Sequence, residues 1–502
     1  EQYGILKRKA PYLIAMALTD LRSFKFETGT QSYLKEKDFP KPSHEPTIGV
    51  IDSLFDTNVY FSKWVEYTDL VSDEIVKTPE DKDHGTMVSS IIVDGPWLNP
   101  DLDDGCGRFR VRHFGVLAGK SYSSFTVIRN IKDIVAKNPD IKVWNLSLGS
   151  PEEIGENFIS PEAAVLDEIQ YLYDVTFVIA GTNKTKRNQE KIGAPADSIN
   201  GVVVNSVCKD GSPAAYSRKG PVLSFYTKPD VSYYGGVDGE RMSVYSYDKL
   251  YRTGTSFAAP WVARKLAFLI QVMGLTREVA KALLIDSAAG WKQDISSSEM
   301  NVKGYGVVPQ KINDILNTAD DEIRFLLTGV KEQYDTYNYN IPVPASNGKH
   351  PFIARATLCY YPKCFRNQGV DYTATEFTIQ FGRMKDDGSI KPIDDNYQGE
   401  DGAFDSEDSS RLKYRKWDNI KHIGETLHER KIAKKAYQTE LWGLSIKSME
   451  RLSEKYGRGH KFGIVITLKE INGKNRIQDF IQQCQMRGIL VNPIVIKNQI
   501  DI

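Results

Sequence analysis

The sequence predicts an α/β protein. A parallel sheet between helices occupies about residues 47–290, and a mainly antiparallel, sandwich-like region follows from residue 323. Three observations predict this. Between residues 47 and 290, nearly continuous apolar runs, the pattern of strands covered on both faces, alternate with amphipathic segments of helical length. Beyond residue 322 the texture changes to short β-rich stretches separated by turn residues. Finally, 502 residues exceed what one core ordinarily holds. The expected organisation is an N-terminal extension over 1–44, an α/β domain over 45–322 and a β-rich domain over 323–502.

The first strand is Thr47–Ser53, and the other parallel strands are Val143–Leu148, Val175–Ala180 and Gly201–Val207. Helices are expected at Met87–Val93, Phe125–Lys137 and Pro161–Tyr173; the last has Ser160 as N-cap and proline at its first position. Two more close the region, from Ser256 to Met273 and from beyond Thr276 to Ala288. In the second region, Phe352–Tyr361, Glu376–Phe381, Leu441–Ile446 and Phe462–Leu468 read as strands, and Ile477–Met486 reads as a helix.

Composition excludes several classes. The hydrophobic fraction of 41% and charged fraction of 26% are ordinary for a globular protein. Lys and Arg number 65 and so do Asp and Glu, so no net charge draws the chain to nucleic acid. No run of 18 uncharged apolar residues exists to span a membrane. Five dispersed cysteines are too few for a disulfide scaffold and match no zinc spacing, which favours a reducing, cytoplasmic home. Residue 1 is Glu, so a secreted chain with a removed signal or pro-segment stays compatible with the sequence. Residues 386–410 hold nine acids and one Lys, and residues 411–437 hold nine Lys or Arg and three acids. They read as an acidic loop and a solvated basic face. Asp386/Asp387 and Asp394/Asp395 are the calcium candidates, but their spacing fits no calcium loop, so neither a metal site nor a cofactor is assigned.

Four motifs carry chemistry. Asp52 ends the first strand, at the sheet edge where open α/β proteins build their sites. His84 opens a helix in Asp83-His84-Gly85-Thr86. Asn183 ends the apolar run that contains Ala180-Gly181-Thr182. Ser256 opens a helix in Gly254-Thr255-Ser256-Phe257-Ala258-Ala259-Pro260. Singly, each is more often a turn former or cap. Together they resemble the subtilases, the subtilisin-like serine peptidases, in chain order and context. Asn145-Leu146-Ser147-Leu148-Gly149, Tyr216-Ser217 with Gly220-Pro221, and Lys228-Pro229-Asp230-Val231 extend the resemblance over about residues 45–290.

The resemblance implies a subtilisin-like three-layer fold and a serine endopeptidase acting on polypeptides. In it Ser256 is the nucleophile, His84 the general base and Asp52 the group that orients it. Asn183 and the Ser256 N–H would serve the oxyanion, Ser147-Leu148-Gly149 would pair with substrate, and Ala180-Gly181-Thr182 would wall the primary pocket. Ile192-Gly193-Ala194-Pro195 resembles the pocket floor. With Gly193 there and no carboxylate at the matching floor position, although Asp197 is near in sequence, an uncharged or apolar residue is expected before the scissile bond.

Three departures suggest an altered cleft rim: Leu54 stands where subtilases have Gly, Trp261-Val262-Ala263-Arg264 replaces His-Val-Ala-Gly, and Thr182 stands in place of Gly. The chain also resembles subtilases encoded beside an AAA+ ATPase in bacterial plasmid-stability and phage-defence loci, which implies an ATPase partner. Its tail resembles the β-sandwich that follows the catalytic domain in kexin-like proteases. That tail would either gate the peptidase or buttress it. The competing function is a latent or weakly active peptidase serving as a regulatory scaffold.

Overall fold

Strand β1, Thr47–Ser53, has five consecutive buried residues, so it lies within a sheet covered on both faces. The computed structural model describes residues 39–119, 124–185, 189–291, 297–331, 336–394, 406–427 and 432–489. Around β1 runs a seven-stranded parallel sheet. Its further strands are β2 (Val65–Asp69), β3 (Arg110–Leu117), β4 (Val143–Leu146), β5 (Thr176–Ala180), β6 (Val202–Val207) and β7 (Val231–Tyr234). Their order is β2-β3-β1-β4-β5-β6-β7, with every pair parallel. A hairpin follows, of β8 (Met242–Tyr245) and β9 (Lys249–Arg252). Helices α1 (Asp83–Leu98), α2 (Ser124–Lys137), α3 (Pro161–Tyr173), α4 (Thr255–Ala267) and α5 (Arg277–Ala289) complete the layers. As expected, Ser160 Oγ accepts the Ala163 N–H and caps α3.

The sheet has a core on each face. One lies between the sheet and α1, α4 and α5, and the other under α2 and α3. Strand β4 ends at Leu146, two residues before the predicted boundary, because Ser147-Leu148-Gly149 leaves the sheet, with Ser147 and Gly149 lining a pocket.

The β-rich region forms two antiparallel four-stranded sheets. One orders Glu322–Val330, Lys461–Glu470, Phe352–Tyr360 and Ile420–Gly424. The other orders Thr336–Ile341, Trp442–Glu450, Thr375–Met384 and Ile390–Pro392. The inner faces enclose a third core that includes Phe377, Trp442 and Ile464. This sandwich rests on α5, which packs against Phe352–Tyr360 and Lys461–Glu470.

The basic stretch departs from expectation. Arg411 pairs with Asp371 at 2.5 Å, Lys421 is buried against Glu376 at 2.7 Å, and Arg415 donates to the Phe225 carbonyl at 2.6 Å. These cations face inward, because burial demands that each find an anion or carbonyl, and Arg415 joins the two regions. Asp386 and Asp387 accept hydrogen bonds from Gln438 and Ser389, as turn residues do; Asp395 lies outside the described residues. Among the described residues no group of three His, Cys, Asp or Glu is gathered for a metal, and no helix is long and apolar enough to cross a membrane.

Candidate active site

The site lies at the carboxyl ends of the parallel strands. Asp52, at the end of β1, is fully buried, and its Oδ1 accepts from His84 Nδ1 at 2.6 Å and from the Ser53 N–H at 2.7 Å. An ionised carboxylate only accepts, so Nδ1 carries the proton and Nε2 is left as the basic nitrogen. His84 begins α1. The approach of α1 to β1 depends on Gly85, where a Cβ would lie 2.7 Å from the Ser53 and Leu54 carbonyls and from the His113 ring. Two bonds fix this approach. The Gly85 N–H donates to Ser53 Oγ at 2.9 Å, and His113 Nε2 bonds the Ser53 carbonyl at 2.8 Å. Burial pushes the His113 pKa down, so its imidazole is a neutral clamp.

Ser256 sits in the first turn of α4, where backbone N–H groups lack intrahelical acceptors. Its Oγ donates to the Ser147 carbonyl at 3.3 Å, and Ser147 Oγ donates back to the Ser256 carbonyl at 3.2 Å. Asn145 Nδ2 donates to Ser147 Oγ at 3.0 Å, so the end of β4 holds the serine turn. The ring of Phe257, the next residue, lies 6.0 Å from that of His84.

Asn183 Oδ1 accepts from the Thr255 N–H at 3.1 Å and the Thr255 hydroxyl at 3.0 Å. A backbone N–H can only donate, so this network fixes the amide orientation and leaves Nδ2 as the group available to the cleft. One pocket gathers Ser147, Gly149, Ser150, Pro151, Ala180, Gly181, Thr182, Asn183, Thr185, Thr255 and Ser256. Most of the residues predicted to bind substrate thus line one cavity. Leu148 and Gly193 are not on its wall: Leu148 belongs to the core under α2 and α3, and Gly193 lies behind, donating its N–H to Thr182 Oγ1 at 2.7 Å.

A subtilase family model matches residues 43–312, more than half of the chain. The chain belongs to the subtilase family. Solved structures similar to it include the prenylagaramide maturation protease PagA, at 22% identity and TM-score 0.42 over 54% of this chain and 92% of that one. The protease domain of PatA gives 18% and 0.42 over 55% and 95%. The epidermin leader peptide processing serine protease EpiP of Staphylococcus aureus gives 17% and 0.45 over 62% and 90%.

Of the three departures of this subtilase, Thr182 lines the pocket, as the altered rim implies, and the other two lie away from it. Trp261 and Arg264 are wholly buried on α4. Arg264 grips Asp104 through two bonds of 2.8 Å and donates to the Ile92 and Gly107 carbonyls, a core device remote from the rim. Leu54 is accommodated because its φ is not positive, so the glycine usual there is not required. Asp197 is also remote from the pocket. It accepts from Ser160 N–H at 2.6 Å and Ser160 Oγ at 2.7 Å, and burial pushes its pKa up to about 6. One residue at the site that the four motifs do not mark is Arg218, which stands between Ser217 and Gly220 and is wholly buried behind Thr182. The available signal was a charged residue joining two small-residue motifs while Thr182 replaced a glycine.

Proposed function

We propose that this subtilase is a serine endopeptidase in which Ser256 attacks the peptide carbonyl. His84 Nε2 takes the hydroxyl proton and returns it to the leaving amine, and Asp52 fixes the tautomer and stabilises the imidazolium. The observation that carries the reading is the buried 2.6 Å contact of Asp52 with His84 Nδ1, which assigns the ring's basic nitrogen. Asn183 Nδ2 and the Ser256 N–H donate to the oxyanion, helped by the α4 dipole. A fluorophosphonate probe tests the reading. The intact chain is expected to be labelled, and Ser256→Ala is not; labelling that persists in Ser256→Ala, or none in the intact chain, contradicts it.

Asn183→Ala is expected to lower kcat by about 10²–10³ with KM nearly unchanged, because the amide serves a charge present only in the transition state. A raised KM with normal kcat would instead mean that Asn183 binds the ground state. The proposal extends to an AAA+ ATPase partner and a role in bacterial defence, supported by the sequence resemblance alone.

A further inference from the structure

The wall of the primary pocket is backed by a cation. Arg218 is wholly buried, and Nη1 donates to the Ser150 carbonyl at 3.1 Å and to Thr182 Oγ1 at 3.2 Å. Nη2 donates to the Pro151 carbonyl at 2.5 Å. Among the described residues all three acceptors are neutral oxygens, and Arg218 Nε has no partner. Burial pulls the guanidinium pKa down from its ordinary value, and Glu153 and Glu152 oppose this only through space. Glu153 is itself held by the Glu190 and Lys191 N–H groups, at 2.6 and 2.9 Å. A buried charge without a contacting counter-ion is costly, so an anion brought near it is strongly favoured.

Thr182 transmits this polarity into the pocket. Its Oγ1 accepts from both Arg218 Nη1 and the Gly193 N–H, which occupies both lone pairs and leaves the hydroxyl proton to point elsewhere. The pocket's own acceptors are neutralised from behind. The Ser150 carbonyl takes Arg218, and the Pro151 carbonyl takes Arg218 and Gln189 Nε2 at 2.7 Å. Gly193 makes room for the arrangement, since a Cβ there would lie 2.2 Å from the Ser150 carbonyl and 2.7 Å from Arg218 Nη1. The pocket is therefore backed by a positive charge, which suits a carboxylate and opposes an ammonium or guanidinium.

We infer that Thr182, positioned and polarised by Arg218, makes the primary pocket select Asp or Glu before the scissile bond. This rests on the peptidase reading, and it replaces the apolar preference that Gly193 suggests when the cation behind it is not seen. The test compares kcat/KM of the full chain on quenched peptides that differ only at that position, carrying Glu, Asp, Gln, Leu, Phe or Lys. Glu or Asp is expected to exceed Leu and Lys by roughly tenfold or more, the worth of a hydrogen bond to a charged group. Thr182→Val, nearly isosteric, is expected to bring the Glu-to-Leu ratio close to one. Arg218→Met is expected to do the same, and Arg218→Lys to retain part of the ratio, which a merely structural role of Arg218 would not produce. If Arg218→Met fails to fold, Thr182→Val decides. A preference for Leu, Phe or Lys, or a ratio unchanged in Thr182→Val, overturns the inference and leaves the peptidase reading intact. A chain that cleaves none of the peptides and takes no fluorophosphonate label overturns the peptidase reading itself.

Discussion

Ser256→Ala is expected to lower kcat for peptide hydrolysis by roughly 10⁶-fold, to the level of the residual site. The loss is large because the serine and histidine act as a unit: without the hydroxyl, His84 has no proton to accept and no acyl intermediate can form. Stability should scarcely move. The hydroxyl makes a 3.3 Å contact with the Ser147 carbonyl, longer than a usual O–H···O bond, so its removal costs no more than about 1 kcal/mol. The measurement is turnover of a quenched peptide beside a thermal melt. Wild-type turnover in the variant would refute the assignment of the nucleophile. Lost turnover together with a collapsed melt would mean that Ser256 holds the fold.

The strands that build the site were legible because their burial is two-sided. In β1, β4, β5 and β6 every residue is buried except the two ends of β1, so the apolar runs stand out. Strand β3 escaped detection. It carries Arg110, Arg112 and His113, of which the arginines are partly exposed and the histidine is buried through its bonds to Ser89 and the Ser53 carbonyl. The edge strand β2, Val65–Asp69, has no fully buried residue, so no apolar run marks it. The four motifs were legible for another reason: each is a backbone exit with a fixed residue type, and the family order ties them together. Of Arg218 only the charge between two small-residue motifs was legible; its contacts were not, because the partners Ser150, Pro151 and Thr182 are distant in sequence.

Asp286→Ala should be strongly destabilising, by about 3–5 kcal/mol, because it leaves the buried Arg355 without its anion. Asp286 is wholly buried on α5 and is the point at which the sandwich is joined to it. Its carboxylate accepts from Arg355 at 3.1 Å and from the hydroxyls of Thr357 and Thr467 at 3.1 and 3.2 Å, with Arg324 at 4.0 Å. All four partners come from the sandwich. Around this hub, Cys359, Ile420 and Val465 share a core with α4 and α5, so the same contact is apolar at its margins. Unfolding in urea is the measurement. Asp286→Asn, which keeps the shape and most hydrogen bonds but loses the charge, should fall between the variant and the intact chain. A loss below about 1 kcal/mol in Asp286→Ala would mean that the junction contributes little. A truncation after residue 321 extends the same argument. Helix α5 also forms part of the catalytic core, so cutting away the sandwich would leave its outer face and Asp286 without cover. The fragment is therefore expected to aggregate or melt early, which is the buttress reading of the sandwich. A soluble fragment that cleaves peptides as fast as the full chain would reverse this and make the sandwich a gate.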